Sequence, residues 1–280
     1  MKISIIGVGL IGGSMALKLR QKNIASFIYG IDHNKQHISD ALDLKIIDVE
    51  ANLEQGIKDS DLIILAIPVD ATRKLLPSVL DLISDHQTVM DAGSTKAGIV
   101  GAVKDHPKRS RFVAFHPMWG TENNGPKSAI ADSFAGKAGV ICNKEESADD
   151  ALETVEKVVN ALDMHMIYMN AEDHDIHTAY ISHISHITSY ALANTVLEKE
   201  REEETIFQLA SSGFSSTVRL AKSHPEMWVP IFKQNKENVL DVLNEHISQL
   251  RKFKSALEKE NYEYLEELIT NANRIRGILR

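Results

Sequence analysis

The run Gly7-Val8-Gly9-Leu10-Ile11-Gly12 constrains this chain more than any other stretch, because it follows a β-branched opening segment and leads into a helix-forming one. In that setting each glycine has a steric purpose. Gly7 permits the tight turn, Gly9 lets backbone approach a pyrophosphate, and Gly12 lets helix and strand pack closely. The helix N-terminus at Leu10 and Ile11 then stabilises phosphate charge. A turn that needs glycine for steric reasons alone would show part of the same pattern. The second β-rich segment, however, ends at Asp32, 20 residues after Gly12. A carboxylate there accepts hydrogen bonds from the adenine ribose hydroxyls and repels a 2′-phosphate. The pattern predicts a dinucleotide site selective for NAD over NADP, rather than a structural βαβ unit with no nucleotide.

The apolar pattern extends this unit. Residues 2–7, 27–31, 61–67, 88–91, 112–115 and 139–142 read as strands separated by amphipathic helices, which predicts an α/β, Rossmann-type, doubly wound parallel sheet. A further apolar run at residues 164–169 completes it. After Asn170 the strand pattern is lost, and helices are expected at residues 173–197, around 227–254 and at 261–278. The expected division is a nucleotide-binding domain over residues 1–169 and an all-α domain over residues 170–280. The charged cluster at residues 198–204 reads as a solvated helix end.

Composition removes several classes of function. With 280 residues, 43% of them hydrophobic, the chain can bury one large core or two moderate ones. A formal net charge of -8 gives no general attraction to nucleic acid or anionic lipid. No apolar run approaches the ~20 residues of a membrane-spanning helix. Cys142 is the single cysteine, so no internal disulfide forms, and the opening residues lack the basic region of a cleavable leader. A cytoplasmic location is expected.

Two segments after predicted strands open at the carboxyl edge of the sheet, where ligands bind in this fold: Asp91-Ala92-Gly93-Ser94-Thr95-Lys96 and His116-Pro117-Met118-Trp119-Gly120-Thr121-Glu122. His116 there faces a nicotinamide, caps a helix or is solvated. Lys96 faces solvent or caps the adjoining helix. In the helical half, His183 and His186 are three apart and share one helix face. Together with His174 and His177 they suggest a metal site, but no His-Glu-x-x-His arrangement or fixed third ligand accompanies them, and no metal is expected. From its residue type alone, Arg219 reads as a surface ion pair and Trp228 as core; Glu122 either pairs with a basic residue or is a solvated loop carboxylate.

The glycine-rich start, the Gly-Ser-x-Lys loop, His-Pro-x-x-Gly-Thr-Glu, Ser182-His183-Ile184-Ser185-His186, Gly213-Phe214 followed by Arg219, and Pro225-Glu226-Met227-Trp228 occur in one order over nearly the whole chain. In this the chain resembles the prephenate dehydrogenases. Two departures, Ile184-Ser185 where the family commonly has Leu-Pro and Ser211-Ser212 before Phe214, touch local backbone and not the chemistry.

The resemblance implies oxidative decarboxylation of prephenate to 4-hydroxyphenylpyruvate with reduction of NAD, in tyrosine biosynthesis. It implies that neutral His116 accepts the proton of the ring alcohol and that Ser94 orients the imidazole. It also implies that Arg219 binds a substrate carboxylate and that His186 lines the pocket beside His183, with Glu122 tuning or gating it and Trp228 nearby. A homodimer intertwined through the helical domain is implied as well. Arogenate or dual cyclohexadienyl specificity is the first alternative. A β-hydroxyacid dehydrogenase is disfavoured because its catalytic lysine motif is replaced here by Ser182–His186 and Arg219, and a non-catalytic nucleotide-binding regulator is disfavoured by intact Ser94 and His116. Since the sequence stops at Arg280, shortly after the last predicted helix, tyrosine control through an appended regulatory domain is not expected.

Overall fold

Alternation along the strands decides the layering. In the computed structural model, which describes residues 1–201 and 205–278, Ile3 and Ile5 of β1 (Lys2–Ile6) belong to one buried apolar layer and Ile6 to the other. Leu62 and Ile64 of β4 (Leu62–Leu65) likewise lie in the first layer, with Ile63 and Leu65 in the second. Strands buried on both faces read as continuous β-branched runs and occupy the middle of a sheet. β1 and β4 are neighbours there. The eight strands run in the order β3-β2-β1-β4-β5-β6-β7-β8, the others being β2 (Phe27–Ile31), β3 (Val49–Glu50), β5 (Thr88–Asp91), β6 (Phe112–Pro117), β7 (Ala138–Cys142) and β8 (His165–Met169). Strand order reverses direction between β1 and β4, which creates the crevice where this fold binds ligands.

Pairing is parallel from β3 to β6, antiparallel between β6 and β7, and parallel again between β7 and β8. The expected strands are present. The reversal at β6 and the two-residue edge strand β3 go beyond the sequence reading, because burial alternates identically whichever way a strand runs and two residues carry no period. Helices cover both faces. The first layer takes residues from α1 (Leu10–Gln21), α2 (Lys35–Asp43) and α6 (Asp149–Ala161); the second takes them from α3 (Leu53–Lys58), α4 (Val69–Leu82) and α5 (Ala97–Gly101).

Beyond β8 the described residues are helical: α7 (Ala171–Thr178), α8 (Ile184–Glu200), α9 (Ser212–Thr217), α10 (Pro225–Gln234), α11 (Lys236–Glu258) and α12 (Tyr262–Ala272). The stretch expected as one helix over residues 173–197 is broken by a π-helical turn, Ala179–His183, a local widening often found at functional sites. The helix expected over residues 227–254 divides at Asn235, and the last one gives way to a 3-10 turn, Asn273–Gly277. α8 ends at Glu200; residues 202–204 of the charged cluster lie outside the described residues. No helix among the described residues is long and apolar enough to cross a membrane.

α10 ties the two halves together. It packs against α4, and its Trp228 and Ile231 are buried in the same apolar layer as Leu65 and Leu76. At about 1.5–3 kcal/mol for a fully buried large apolar side chain, this shared layer fixes the helical half over the carboxyl edge of the sheet.

Candidate active site

The glycine turn has the geometry its sequence predicts. Gly7 has φ +96°, and a Cβ there would lie 2.4 Å from the Ala66 carbonyl oxygen. A Cβ on Gly12 would lie 2.1 Å from the carbonyl oxygen of Gly7, so side chains are excluded at both positions. Gly9 differs: a Cβ would meet nothing within 4 Å. It is the N-cap of α1 and makes no side-chain cap, so the first N–H groups of the helix, at Leu10 and Ile11, take no acceptor from a capping side chain. Asp32, just past β2, accepts the N–H of Val8 (3.1 Å) and of Asn34 (2.8 Å), locking its carboxylate against the glycine turn. Asp32, Ile31, Ile67 and Ala71 line a cleft of about 700 Å³ whose other wall, Val229 and Pro230, comes from α10. The Asp32 carboxylate, a helix N-terminus without a side-chain cap and an apolar slot thus lie along one edge.

Alternation in β6 places His116 on the side of Ala114, toward the helical half. There its neighbours differ from those expected. His174, at the start of α7, donates Nδ1–H to Asp175 Oδ1 (2.8 Å), since a carboxylate only accepts; its Nε2 then accepts Nδ1–H of His116, also at 2.8 Å. Ser94 makes no hydrogen bond with His116 among the described residues; it is half-buried in the turn after β5. Desolvation first, then the positive charges that His174, Lys96 and His183 can carry, hold the proton affinity of His116 well below that of an ordinary histidine. Burial likewise lowers His174, against the opposing pull of Asp175.

The loop carrying Ser94 is anchored from beneath. Lys96, expected at the surface or as a cap, stands at the N-cap position of α5 but caps nothing with its side chain, which is fully buried, where its ammonium pairs with Asp91 and donates to the Phe115 carbonyl (2.7 Å). A buried ammonium needs such partners. Asp91 also accepts the N–H of Gly93 (2.9 Å) and Phe115 (3.2 Å), and Asp175 accepts the N–H of Lys96 (2.7 Å) and Ala97 (3.0 Å). Two carboxylates therefore clamp the β5 loop to β6 and to α7.

The remaining predicted residues line up from this point. His183 is buried edge-on to Trp228, and the Asn235 amide donates both to its Nδ1 (3.1 Å) and to the Asp175 carbonyl (2.6 Å). Burial pushes His183 down to about 4, so it is neutral, with Nε2 carrying the proton. His186 stacks on the Trp228 indole at 3.4 Å and donates Nδ1–H to the Ser182 carbonyl (3.0 Å). Burial, and to a lesser degree the nearby charge of Arg219, lowers its proton affinity. Trp228 is at once core and wall of this cluster; its Nε1–H is buried and has no partner among the described residues. Arg219 is half-exposed and donates Nη1–H to Glu122 (2.9 Å), an ion pair joining the loop after β6 to the helical half. A backbone N–H and then that guanidinium hold the Glu122 carboxyl below its usual range. Both ring nitrogens of His174 are committed, which leaves it no lone pair for a metal.

Sequence reasoning missed His174 as the partner of His116, and with it Asp175 and Asn235. A His-Asp dipeptide directly after the last strand, at the carboxyl edge of the sheet, was the available signal.

A dinucleotide-type glycine turn beside a cleft lined by Asp32, with a buried, neutral imidazole at the end of β6 in the same sheet, has the arrangement of a nucleotide-dependent dehydrogenase. Residues 15–168 match the family model described as prephenate dehydrogenase, nucleotide-binding domain, and residues 170–271 match prephenate dehydrogenase, dimerization domain. The chain belongs to the prephenate dehydrogenase family. A prephenate dehydrogenase of Bacillus subtilis is 31% identical over 266 residues, 94% of this chain and 72% of the relative. A cyclohexadienyl dehydrogenase of Zymomonas mobilis is 27% identical, with 99% of this chain and 96% of the relative covered. The crystal structure of Aquifex aeolicus prephenate dehydrogenase with hydroxyphenyl propionate and NAD+ superposes with a TM-score of 0.91 at 31% identity, covering 100% of this chain and 99% of that one.

Proposed function

We propose that this protein oxidises and decarboxylates prephenate to 4-hydroxyphenylpyruvate, in tyrosine biosynthesis, with NAD as the hydride acceptor. The observation that carries this reading is the buried imidazole of His116 at the end of β6, its Nδ1 engaged by His174, in a chain that also stacks His186 on Trp228 and pairs Arg219 with Glu122 of the loop after β6. Gly7, Gly9 and Gly12 keep the turn clear for the pyrophosphate, the N–H groups at Leu10 and Ile11 bind it, and Asp32 takes the ribose hydroxyls. NAD, when bound, supplies the acceptor for the hydride leaving the alcohol carbon.

The chain supplies the rest. His116 Nε2 accepts the alcohol proton, work suited to an imidazole kept neutral by burial. Ser94, in the β5 loop, is the residue the family resemblance assigns to orienting that ring, although it makes no hydrogen bond with His116 among the described residues. Arg219 takes a substrate carboxylate through its planar donor set, His186 and His183 line the pocket, and Trp228 walls it. Glu122, paired with Arg219, tunes that cation. Loss of carbon dioxide completes an aromatic ring, which drives the reaction forward. The helical half also makes a homodimer, read from the description of the matching family model.

Following NADH absorbance with prephenate and arogenate in parallel, each with NAD and NADP, tests the reading. Turnover of prephenate with NAD at the highest specificity constant is expected; preference for arogenate would assign the amino analogue instead, and no turnover of either would remove the proposal. Light scattering that finds only monomer would remove the dimer.

A further inference from the structure

The row Asp175–His174–His116 contains two residues with no role in the reaction described so far. We propose that His174, backed by Asp175, is a positioning residue that fixes His116 in the one tautomer able to act as a base toward the substrate alcohol. This rests on the proposed oxidation.

The tautomer follows from the acceptor at the far end. Asp175 Oδ1 can only accept, so the proton of a neutral His174 resides on Nδ1, 2.8 Å away. His174 Nε2 is thereby a lone pair, and it faces His116 Nδ1 at 2.8 Å. His116 must carry its own proton there and leave Nε2 bare. Without His174 either ring nitrogen of His116 could hold the proton, and one form has no base to offer. The row is well built for this. His174 is 1% exposed, Asp175 is 3% exposed, and the carboxylate is held by the N–H groups of Lys96 and Ala97, which prevent it from turning away.

The row also receives charge. When the alcohol O–H bond breaks and a proton forms an Nε2–H bond on His116, hydride leaves the neighbouring carbon for the nicotinamide, and the imidazole becomes a cation. Among the described residues Asp175 is the carboxylate hydrogen-bonded to this row. Asp91 is already occupied by Lys96, whose charge acts against the imidazolium, as a charge on His183 would. His174 passes the stabilising influence of Asp175 through its ring without itself changing protonation, the same logic by which a buried carboxylate supports a catalytic imidazole elsewhere. A purely structural reading explains the Asp175 bonds to α5. It leaves unexplained why a buried imidazole is placed between that carboxylate and His116.

Variants at His174 test this better than variants at Asp175, because Asp175 also holds backbone of α5. Long-range ¹H–¹⁵N correlation spectra of the full-length protein, recorded without substrate near pH 8, should show His116 protonated on Nδ1 and bare on Nε2. His174→Phe should mix or reverse that pattern. It should also lower kcat by at least ~10²-fold, approaching loss of the base itself, while KM for NAD stays within about twofold. His174→Gln, whose amide oxygen can accept the His116 proton, should restore the tautomer and part of the rate. Wild-type His116 protonated on Nε2 would overturn the inference even if the Phe variant fails to fold. So would a folded His174→Phe protein with wild-type kcat. Absence of NADH formation by the wild type would remove the proposed oxidation, while the spectra would still decide the tautomer.

Discussion

At the scale of single residues, the roles proposed for Arg219 and His116 divide binding from chemistry. Arg219 keeps one guanidinium edge on Glu122 and is half-exposed, so it contributes little to folding and is available to a carboxylate. Arg219→Ala should raise KM for prephenate by roughly tenfold to a hundredfold, the range of a charge-assisted hydrogen bond, and leave NAD affinity unchanged. Arg219→Lys should recover only part, since an ammonium lacks the planar fork. Normal prephenate binding by the Ala variant in calorimetry would make the arginine a surface residue. His116 gives a pH prediction of definite sign. The base works unprotonated, and burial lowers its pKa from the ordinary histidine value of 6.5, so kcat/KM should hold as pH falls past 6.5 and decline only below it. A decline centred above 6.5 would contradict the buried, neutral imidazole. His116 and Arg219 could be named as candidates from the sequence because flanking motifs mark them. His174 was not, since four histidines between residues 174 and 186 have equal claim until the fold brings one across 58 positions of chain to His116.

At the scale of elements, what can be read in advance depends on whether the cause is local. The β1 turn is local: Gly12→Ala would place Cβ 2.1 Å from the Gly7 carbonyl oxygen and 2.9 Å from Ile5 Cγ2, both belonging to the rigid strand and turn. α1 would have to move. A stability loss of about 1–3 kcal/mol is expected from such overpacking, with a marked rise in KM for NAD, and an unchanged urea midpoint and KM would refute the close approach. The antiparallel pairing of β7 with β6, the π-helical turn before α8 and the break at Asn235 are set by tertiary partners, so their sequences carry no period that announces them. The Lys96–Asp91 pair belongs with these. A lysine after Gly-Ser-Thr reads as surface until β6 supplies the Phe115 carbonyl. Lys96→Met should cost about 3–5 kcal/mol, because it strands a buried carboxylate, and the β5 loop should loosen with it. A melting temperature within a degree or two of wild type would show that the pair is not buried.

At the scale of the whole molecule, a seam of buried histidines runs beside the apolar layer that joins sheet and helices, and this makes stability depend on pH in a definite window. His116, His174, His183 and His186 all have lowered proton affinity, each chiefly through burial. For His183 the unfolded chain titrates near 6.5 and the folded one near about 4. Above 6.5 neither state binds the proton and pH has no effect. As pH falls from 6.5 toward 4 the unfolded chain is protonated first, so stability is lost progressively, and below 4 the loss is complete. Its size for His183 alone is on the order of 3 kcal/mol. The carboxylates with lowered pKa, Asp40, Glu122, Asp150 and Asp163, have ordinary values of 3.8 or 4.5 in an unfolded chain, so their contributions are lost only from about pH 4.5 downward. The interval from 6.5 to 4.5 therefore isolates the histidines. Urea midpoints measured at half-unit steps across it should fall steadily in the wild type. His183→Gln, which removes one titrating ring and keeps an amide oxygen able to accept from Asn235, should start lower at pH 7 and fall less steeply. Equal slopes for the two proteins would mean that His183 titrates alike in the folded and unfolded states, and the buried histidine seam would not be the source of acid sensitivity.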